Sequence, residues 1–217
     1  MENQLVITSP DGAFRAYIAR PASQPAPAVI VLQELFGVNA DIRATCDALA
    51  TQGFIAIAPD LFWRQEPGVD LDVTTEASWQ HGLALYTAFN RDAGVKDIME
   101  TVRTAVELPE STGRIALLGY CLGALMAFIT AARYEVDAAV AYHGADRKIP
   151  RRAWRNASPV ADAPRRRGRV HLKASSGRDQ SGLGTKTERD RLQLSGSASR
   201  VFSTQRAPLR RRGGGAS

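Results

Sequence analysis

The sequence of 217 residues is poor in cysteine and histidine and contains no long apolar run. Cys46 and Cys121 are its two cysteines, which excludes a disulfide-stapled scaffold and fits a reducing compartment. Without 18 consecutive apolar residues, no membrane-spanning helix is expected. The first residues lack a basic start followed by an apolar stretch, so no secretory signal is expected and the cytoplasm is the predicted location.

Motifs for cofactors and metals are absent as well. The chain has no Gly-x-Gly-x-x-Gly loop, no Walker-type lysine loop, and no His/Cys cluster with the spacing of metal ligands. The sequence therefore predicts no cofactor and no metal site.

Charge divides the chain into two unequal parts. Residues 1–146 carry 9 Lys and Arg against 18 Asp and Glu, whereas residues 147–217 carry 19 against 4. The formal net charge of +6 therefore comes from the last third alone. A basic chain usually indicates nucleic acid or an anionic surface as partner, and here that inference applies only to residues 147–217.

The first 146 residues alternate between strand and helix patterns. Short, continuous apolar runs at 27–32, 53–58, 114–118 and 138–142 are typical of parallel strands covered by helices on both faces. Residues 5–7 and 14–18 flank a Pro-Asp-Gly turn and predict an edge hairpin. Apolar residues at helical spacing, namely Val95, Ile98, Met99, Val102 and Val106, predict a helix that Pro109 and Gly113 end. The expected fold is an α/β domain with an open, mostly parallel sheet and flanking helices.

This periodicity stops after Asp146. Residues 147–217 hold scattered apolar residues, two Arg-Arg-Arg runs, and low-complexity Ser/Gly stretches. Such a segment cannot bury enough apolar surface to offset the entropy of ordering it, so a disordered basic tail is expected. The sheet of residues 1–146 is then expected to be incomplete at its carboxyl-terminal side.

The strongest chemical signal is residues 119–123, GYCLG, which we call the elbow. It follows an apolar strand and precedes a helix-forming stretch, as in a nucleophile elbow with cysteine in place of serine. The helix amino terminus favours a thiolate and an oxyanion at Cys121, and the Leu122 amide can donate to the developing charge. The alternative is a small buried core cysteine, which is the preferred interpretation of Cys46 because no glycines flank it.

A second signal is residues 33–39, QELFGVN, directly after the strand that ends at Leu32; because this is the third predicted strand, we call the segment the β3 loop. Function in open α/β sheets gathers at the carboxyl ends of strands, where hydrolases of this type place the second oxyanion amide. Glu34 can then face the thiol and the Leu35 amide can complete an oxyanion hole. Taken alone, Glu34 fits a solvated turn carboxylate better. Asp60, at the end of another strand, is expected to be a turn or capping residue.

Together these motifs resemble the dienelactone hydrolases of the α/β-hydrolase fold. The resemblance rests on 33–39, on 53–61 (GFIAIAPDL), on 93–95 (AGV) and on 119–124 (GYCLGA), and it covers about residues 5–146. It implies a cysteine hydrolase that acts on small-molecule lactones or activated esters through an acyl-enzyme. Cys121 would attack the carbonyl, Glu34 would hold or take the thiol proton, and the amides of Leu35 and Leu122 would bind the oxyanion.

The triad acid and histidine of that family cannot be assigned here. His143 follows the elbow too closely, and Asp162 precedes His171 too closely to leave room for the usual strand and helix. His81 precedes the nucleophile, which is the wrong order along the chain for a triad histidine.

We hypothesise that the reading frame shifts near codon 146, since 16 of the 19 basic residues beyond it are arginine. The turnover rate is then expected to be lower by ~10³ or more, because the base of the triad is missing.

Two other functions stay open at this point. A binding protein could use the basic tail on nucleic acid or an anionic surface, with affinity that falls steeply with salt. A carboxylesterase of broad specificity could share only the fold, since residues 74–78 lack the arginine that the family often has there for a carboxylate substrate.

Overall fold

The computed structural model describes residues 3–142 and the strand at 169–171. Strands and helices alternate along the chain in this order: β1 Gln4–Ser9, β2 Gly12–Ala19, β3 Ala26–Leu32, α1 Ala40–Thr51, β4 Ile55–Pro59, α2 Glu76–Ala88, α3 Arg91–Glu107, β5 Ser111–Tyr120, α4 Leu122–Arg133, β6 Ala138–Tyr142 and β7 Arg169–His171. The remaining residues of the predicted tail, and the proposed boundary at residue 146, lie outside the described part.

In the described residues the strands form one mixed sheet in the order β1-β2-β4-β3-β5-β6-β7. The strands from β4 to β7 across this order pair in parallel. All of β4 and residues 115–120 of β5 are buried. Helices cover both faces of such strands, and that is why the sequence there is apolar without alternation. The predicted open, mostly parallel sheet with flanking helices is confirmed.

The predicted edge hairpin is also confirmed. β1 and β2 pair antiparallel with a tight turn between Ser9 and Gly12, and β2 continues antiparallel onto β4. Gly12 has a φ of 139°, which a residue with a side chain adopts only with strain. The hairpin thus extends the parallel sheet by two strands on the side away from the elbow.

α1 and α3 each begin at an asparagine cap, and α3 packs largely as its apolar spacing predicts. The Asn39 side chain accepts from the Ile42 amide to begin α1, and the Asn90 side chain accepts from two amides to begin α3. α3 buries Val95, Ile98 and Val102 as predicted. Val106, predicted on that same face, is instead 47% exposed, and Ala105 takes the buried position. Across the described residues no helix is both long enough and apolar enough to span a membrane.

α2 is a helix that the sequence pattern does not predict. Only Gly82 and Leu85 of its 13 residues are buried, while Leu83 is 55% exposed, so its apolar residues are not confined to one face of the helix. α2 lies against loops: the Gln65 side-chain Nε2, for example, donates to the Leu85 carbonyl at 3.0 Å.

The strand β7 corrects the expectation for the basic tail at three residues. Arg169–His171 pairs in parallel with Ala138, Ala139 and Val140 of β6. Backbone pairing needs no apolar periodicity, so a strand this short leaves no signal in the sequence. β6 accordingly has a neighbour on its outer side in the described structure.

A buried carboxylate joins α3 to the loop after β4. Asp97 is 1% exposed, and its oxygens accept from the Trp63 indole at 2.9 Å and from the Arg64 guanidinium at 2.8 and 3.2 Å. Arg64 also pairs with the exposed Asp11 and lies 4.4 Å over the Trp63 ring. Each polar atom of the Asp97 carboxylate is therefore matched by a donor, as burial of a charge requires.

We predict that Asp97→Ala lowers the free energy of unfolding by about 3 kcal/mol, because the Trp63 indole N–H and the Arg64 guanidinium then lose their common acceptor. Urea denaturation measures this. Arg133→Ala, which removes the exposed pair with Asp92, is the control and should cost less than about 1 kcal/mol. Equal costs for the two variants would contradict the assignment of Asp97 as the anchor.

Candidate active site

Cys121 lies at the sharp turn between β5 and α4. Its φ is 50° and its ψ is −109°, and it is the one non-glycine residue with positive φ in the described part of the chain. Its amide donates to the Tyr142 carbonyl at 3.1 Å, and its carbonyl accepts from the Leu125 amide at 3.2 Å. A cysteine held in this conformation costs of order 1–3 kcal/mol, which surrounding structure must supply.

The two glycines of the elbow are required by close backbone approach. A Cβ atom on Gly119 would overlap the Gly123 carbonyl, and one on Gly123 would overlap the Leu32 carbonyl. β5, α4 and the end of β3 thus meet without space for a side chain. The glycine spacing of the elbow is therefore required by the close approach of strand and helix.

The sheet register places the β3 loop beside the elbow. Leu32 of β3 pairs with Gly119 of β5, so the chain positions two residues further on are Glu34 and Cys121. Neighbouring strands lie ~4.8 Å apart, so the ends of β3 and β5, from which the two segments start, lie at the same level of the sheet edge. The Gly123 amide donates to the Gln33 carbonyl at 2.9 Å and joins the two segments directly.

The β3 loop is fixed to the loop that follows β4. Gly37 has a φ of 78°, and a Cβ atom there would overlap the Val69 carbonyl. The Arg43 guanidinium donates to the Val38 carbonyl at 2.6 Å and to the Asp70 carboxylate at 2.7 Å. Half-buried Glu34 therefore lies in a loop whose backbone is held in place further along, at Gly37 and Val38.

α2 covers the same loop from above. Gly82 faces Leu35 so closely that a Cβ atom would overlap the Leu35 side chain and carbonyl. The Phe36 ring meets the Trp79 ring edge-on at 4.9 Å. Leu35 is 7% exposed, and its position is set by backbone-to-backbone contact with a helix.

Two tyrosines end the strands next to the elbow. Tyr120 and Tyr142 are paired across β5 and β6, and their rings stack at 5.6 Å. Burial raises the pKa of Tyr120 well above its ordinary value, and the negative fields of Tyr142 and Glu34 raise it further. The Glu34 carboxylate is therefore within electrostatic reach of the residue that precedes Cys121.

The two cysteines differ in environment as the sequence predicts. Cys46 is fully buried within α1, and burial raises the pKa of its thiol far above the ordinary range, with the Asp47 charge adding to the effect. Cys121 is partly exposed. Core packing is confirmed for Cys46, whose neutral thiol is unsuited to nucleophilic attack at neutral pH.

Asp60 is a turn residue, as predicted. Its carboxylate accepts from the Phe62 amide at 3.0 Å and from the Gly68 amide at 2.7 Å, and it is 6% exposed. Burial raises the pKa of Asp60, while the two amide donors act in the opposite direction. Both carboxylate oxygens of Asp60 therefore stabilise the loop after β4.

The histidines do not complete a triad in the described residues. His81 lies on α2 and pairs with the Glu66 carboxylate at 2.8 Å, both side chains being exposed. His143 and Asp162 lie outside the described residues, and His171 is described only as backbone of β7. Among the described residues no three metal-ligating side chains cluster.

Sequence reasoning gave no role to Gln33 or Gly82. Gln33 is fully buried immediately after an apolar strand, and Gly82 sits inside a helix where glycine costs stability. A buried polar residue at a strand end and a glycine within a helix are both signals that could have been read. Their partners come from distant parts of the chain, and only the fold identifies those.

Comparison with known proteins agrees with this geometry. The family model described as "Dienelactone hydrolase family" matches residues 14–182, and this match continues beyond residue 146, where the resemblance in the sequence was expected to end. A carboxymethylenebutenolidase of Pseudomonas putida is 45% identical over 139 residues, which are 64% of this chain and 59% of that protein. Carboxymethylenebutenolidase 1 of Cupriavidus pinatubonensis is 42% identical, over 61% of this chain and 57% of that protein.

Solved structures agree on the fold. A crystal structure from Klebsiella pneumoniae, described as a candidate dienelactone hydrolase, is 30% identical with a TM-score of 0.56, and the match covers 65% of this chain and 58% of that one. The chain thus spans a little under three fifths of the length of the curated relatives that it matches. With a family match over more than half of its residues and an elbow of the expected geometry, this chain belongs to the dienelactone hydrolase family.

Proposed function

We propose that this protein hydrolyses lactones or activated esters through Cys121. The observation that carries the proposal is the conformation of Cys121, which has positive φ between two glycines that have no room for a side chain. A strained, partly exposed thiol at a helix amino terminus fits a nucleophile and is wasteful for a core residue. The curated relatives named carboxymethylenebutenolidase support a lactone as substrate.

The proposed reaction has two steps. The Cys121 thiolate attacks the carbonyl carbon, a C–S bond forms, and the ester C–O bond breaks, so that the leaving oxygen takes up a proton. The product of this step is a thioester on Cys121. Water then adds to the thioester carbonyl, the C–S bond breaks, and the acid is released with the thiol restored.

Two main-chain amides are proposed to bind the oxyanion. Leu122 is the first residue of α4, where an amide has no acceptor within its own helix. Leu35 is held in the β3 loop beneath α2 by its contact with Gly82. Fixed donors of this kind lower the barrier because they need no reorganisation as charge develops.

Glu34 is proposed to hold the proton of the Cys121 thiol until substrate binds. The sheet register and its effect on Tyr120 support a carboxylate close to the elbow. Deacylation in this family needs an acid and a histidine that follow the nucleophile along the chain, and no such pair of side chains is found among the described residues. The proposal for this chain is therefore acylation followed by slow release.

The first prediction concerns thiol reactivity. Iodoacetamide at pH 7.5 should alkylate Cys121 at least ~10-fold faster than Cys46, because alkylation requires a thiolate and burial keeps the Cys46 thiol protonated. Mass spectrometry of peptides after timed quenching measures both rates in one sample. Labelling of Cys46 should appear only in urea, once the chain unfolds. Equal rates in the folded protein would contradict the assignment.

The second prediction concerns acylation. Mixing with p-nitrophenyl acetate should release a burst of about one equivalent of nitrophenol per chain, followed by turnover slower by ~10³ than that of a complete triad enzyme. Stopped-flow absorbance gives the burst, and mass spectrometry places the acetyl group on Cys121. Cys121→Ala should abolish the burst and Cys46→Ala should retain it. A burst that survives Cys121→Ala would overturn the proposed nucleophile.

The third prediction concerns Glu34. Glu34→Gln should slow the acylation burst by about 10²-fold, because the amide cannot accept the thiol proton. Glu34→Asp keeps a carboxylate and should recover part of the rate, which a purely structural role would not require. An unchanged burst rate in Glu34→Gln would show that this carboxylate is only a solvated loop residue.

A further inference from the structure

Gln33 joins three segments that meet at the carboxyl edge of the sheet. It follows β3 directly and is fully buried. Its main-chain carbonyl accepts from the Gly123 amide of the elbow at 2.9 Å, and its side-chain Oε1 accepts from the Leu61 amide after β4 at 3.0 Å. One residue therefore connects the end of β3, the end of β4 and the start of α4.

The side chain carries a cost that packing alone does not explain. Its Nε2 atom is buried and has no hydrogen-bond partner among the described residues. A buried donor without an acceptor costs about 1–3 kcal/mol, and a methionine of similar shape would avoid that cost. What the amide adds over methionine is the acceptor for Leu61.

The anchor at Leu61 is rigid. Leu61 is 1% exposed, and the residues on either side belong to the turn in which the Asp60 carboxylate accepts from the Phe62 and Gly68 amides. Because the Gln33 side chain is bonded to this turn, the Gln33 backbone is held at a fixed position relative to the end of β4. The backbone that it holds continues directly into Glu34 and Leu35.

We propose that Gln33 is a positioning residue for acyl transfer: its side chain anchors the β3 loop to the loop after β4 so that the Leu35 amide meets the carbonyl oxygen of a substrate attacked by Cys121. The proposal rests on the proposed function of Cys121. Gln33 itself does not touch substrate and acts through the loop. A displacement of ~1 Å at such a site can cost about 10²-fold in rate.

Two reactions of the same thiol isolate this effect. Alkylation by iodoacetamide displaces iodide from carbon and forms no oxyanion, whereas acylation by p-nitrophenyl acetate requires one to be stabilised. Gln33→Met removes the acceptor while it conserves volume. We expect the acylation rate divided by the alkylation rate at Cys121 to fall 10- to 100-fold in this variant. Both rates are read by mass spectrometry on the full chain.

Thr130→Val is the matched control. The Thr130 hydroxyl is also buried without a partner among the described residues, but it lies toward the far end of α4, nine positions beyond Cys121. The ratio should stay within twofold of the parent. Labelling of Cys46 in the same samples reports the unfolded fraction, so a simple loss of stability is recognised.

If Gln33→Met does not fold, Gln33→Asn serves instead. It keeps an amide but is shorter by one methylene, so it reaches Leu61 only if the loop moves, and the ratio should again fall at least tenfold. A folded variant of either kind with the parental ratio overturns the positioning role while the function of Cys121 stands. A parent chain that shows no acylation at Cys121 overturns both proposals.

Discussion

The arrangement of this molecule depends on how closely α4 approaches the ends of β3 and β5. At Gly119 and Gly123 the backbones come together so tightly that a single methyl group at either position would overlap a carbonyl. This approach lets the Gly123 amide bond to the Gln33 carbonyl and presses Cys121 into its positive-φ conformation. Strain at the thiol is thus maintained by packing on both sides of the turn.

The other parts of the site follow from that contact. With Leu32 paired to Gly119, the β3 loop is held level with the elbow. The loop is then fixed from three directions, by Gln33 to the Leu61 amide after β4, by Gly37 to the backbone at Val69, and by Leu35 to α2. Preorganised amides need this kind of support, because a donor on a mobile loop must first be ordered before it can stabilise charge.

The contrast between the two cysteines shows how environment assigns chemistry to one residue type. Cys46 is enclosed by α1 and the sheet, where desolvation keeps its thiol neutral. Cys121 stands partly exposed at the start of a 12-residue helix whose dipole favours negative charge at that end. Identical side chains therefore have separate roles, one in packing and one proposed in catalysis.

Much of this protein could be read from its sequence, because the physics involved is local. Apolar runs without alternation predict buried parallel strands, and the glycine spacing around Cys121 predicts a strand-to-helix turn, since both depend on neighbours within a few residues. α2 was not predicted because its apolar residues are not confined to one helix face, and β7 was not predicted because backbone pairing leaves no side-chain pattern.

The partners of Gln33, Leu35 and Gly37 could come only from the tertiary structure. Leu61, Gly82 and Val69 lie 28, 47 and 32 positions further along the chain, and the sheet order that brings them together places β3 between β4 and β5. A sequence specifies such contacts only through the whole fold, because each depends on how several elements pack at once. The sequence alone determined the candidate nucleophile, and the tertiary structure decided what holds its surroundings in place.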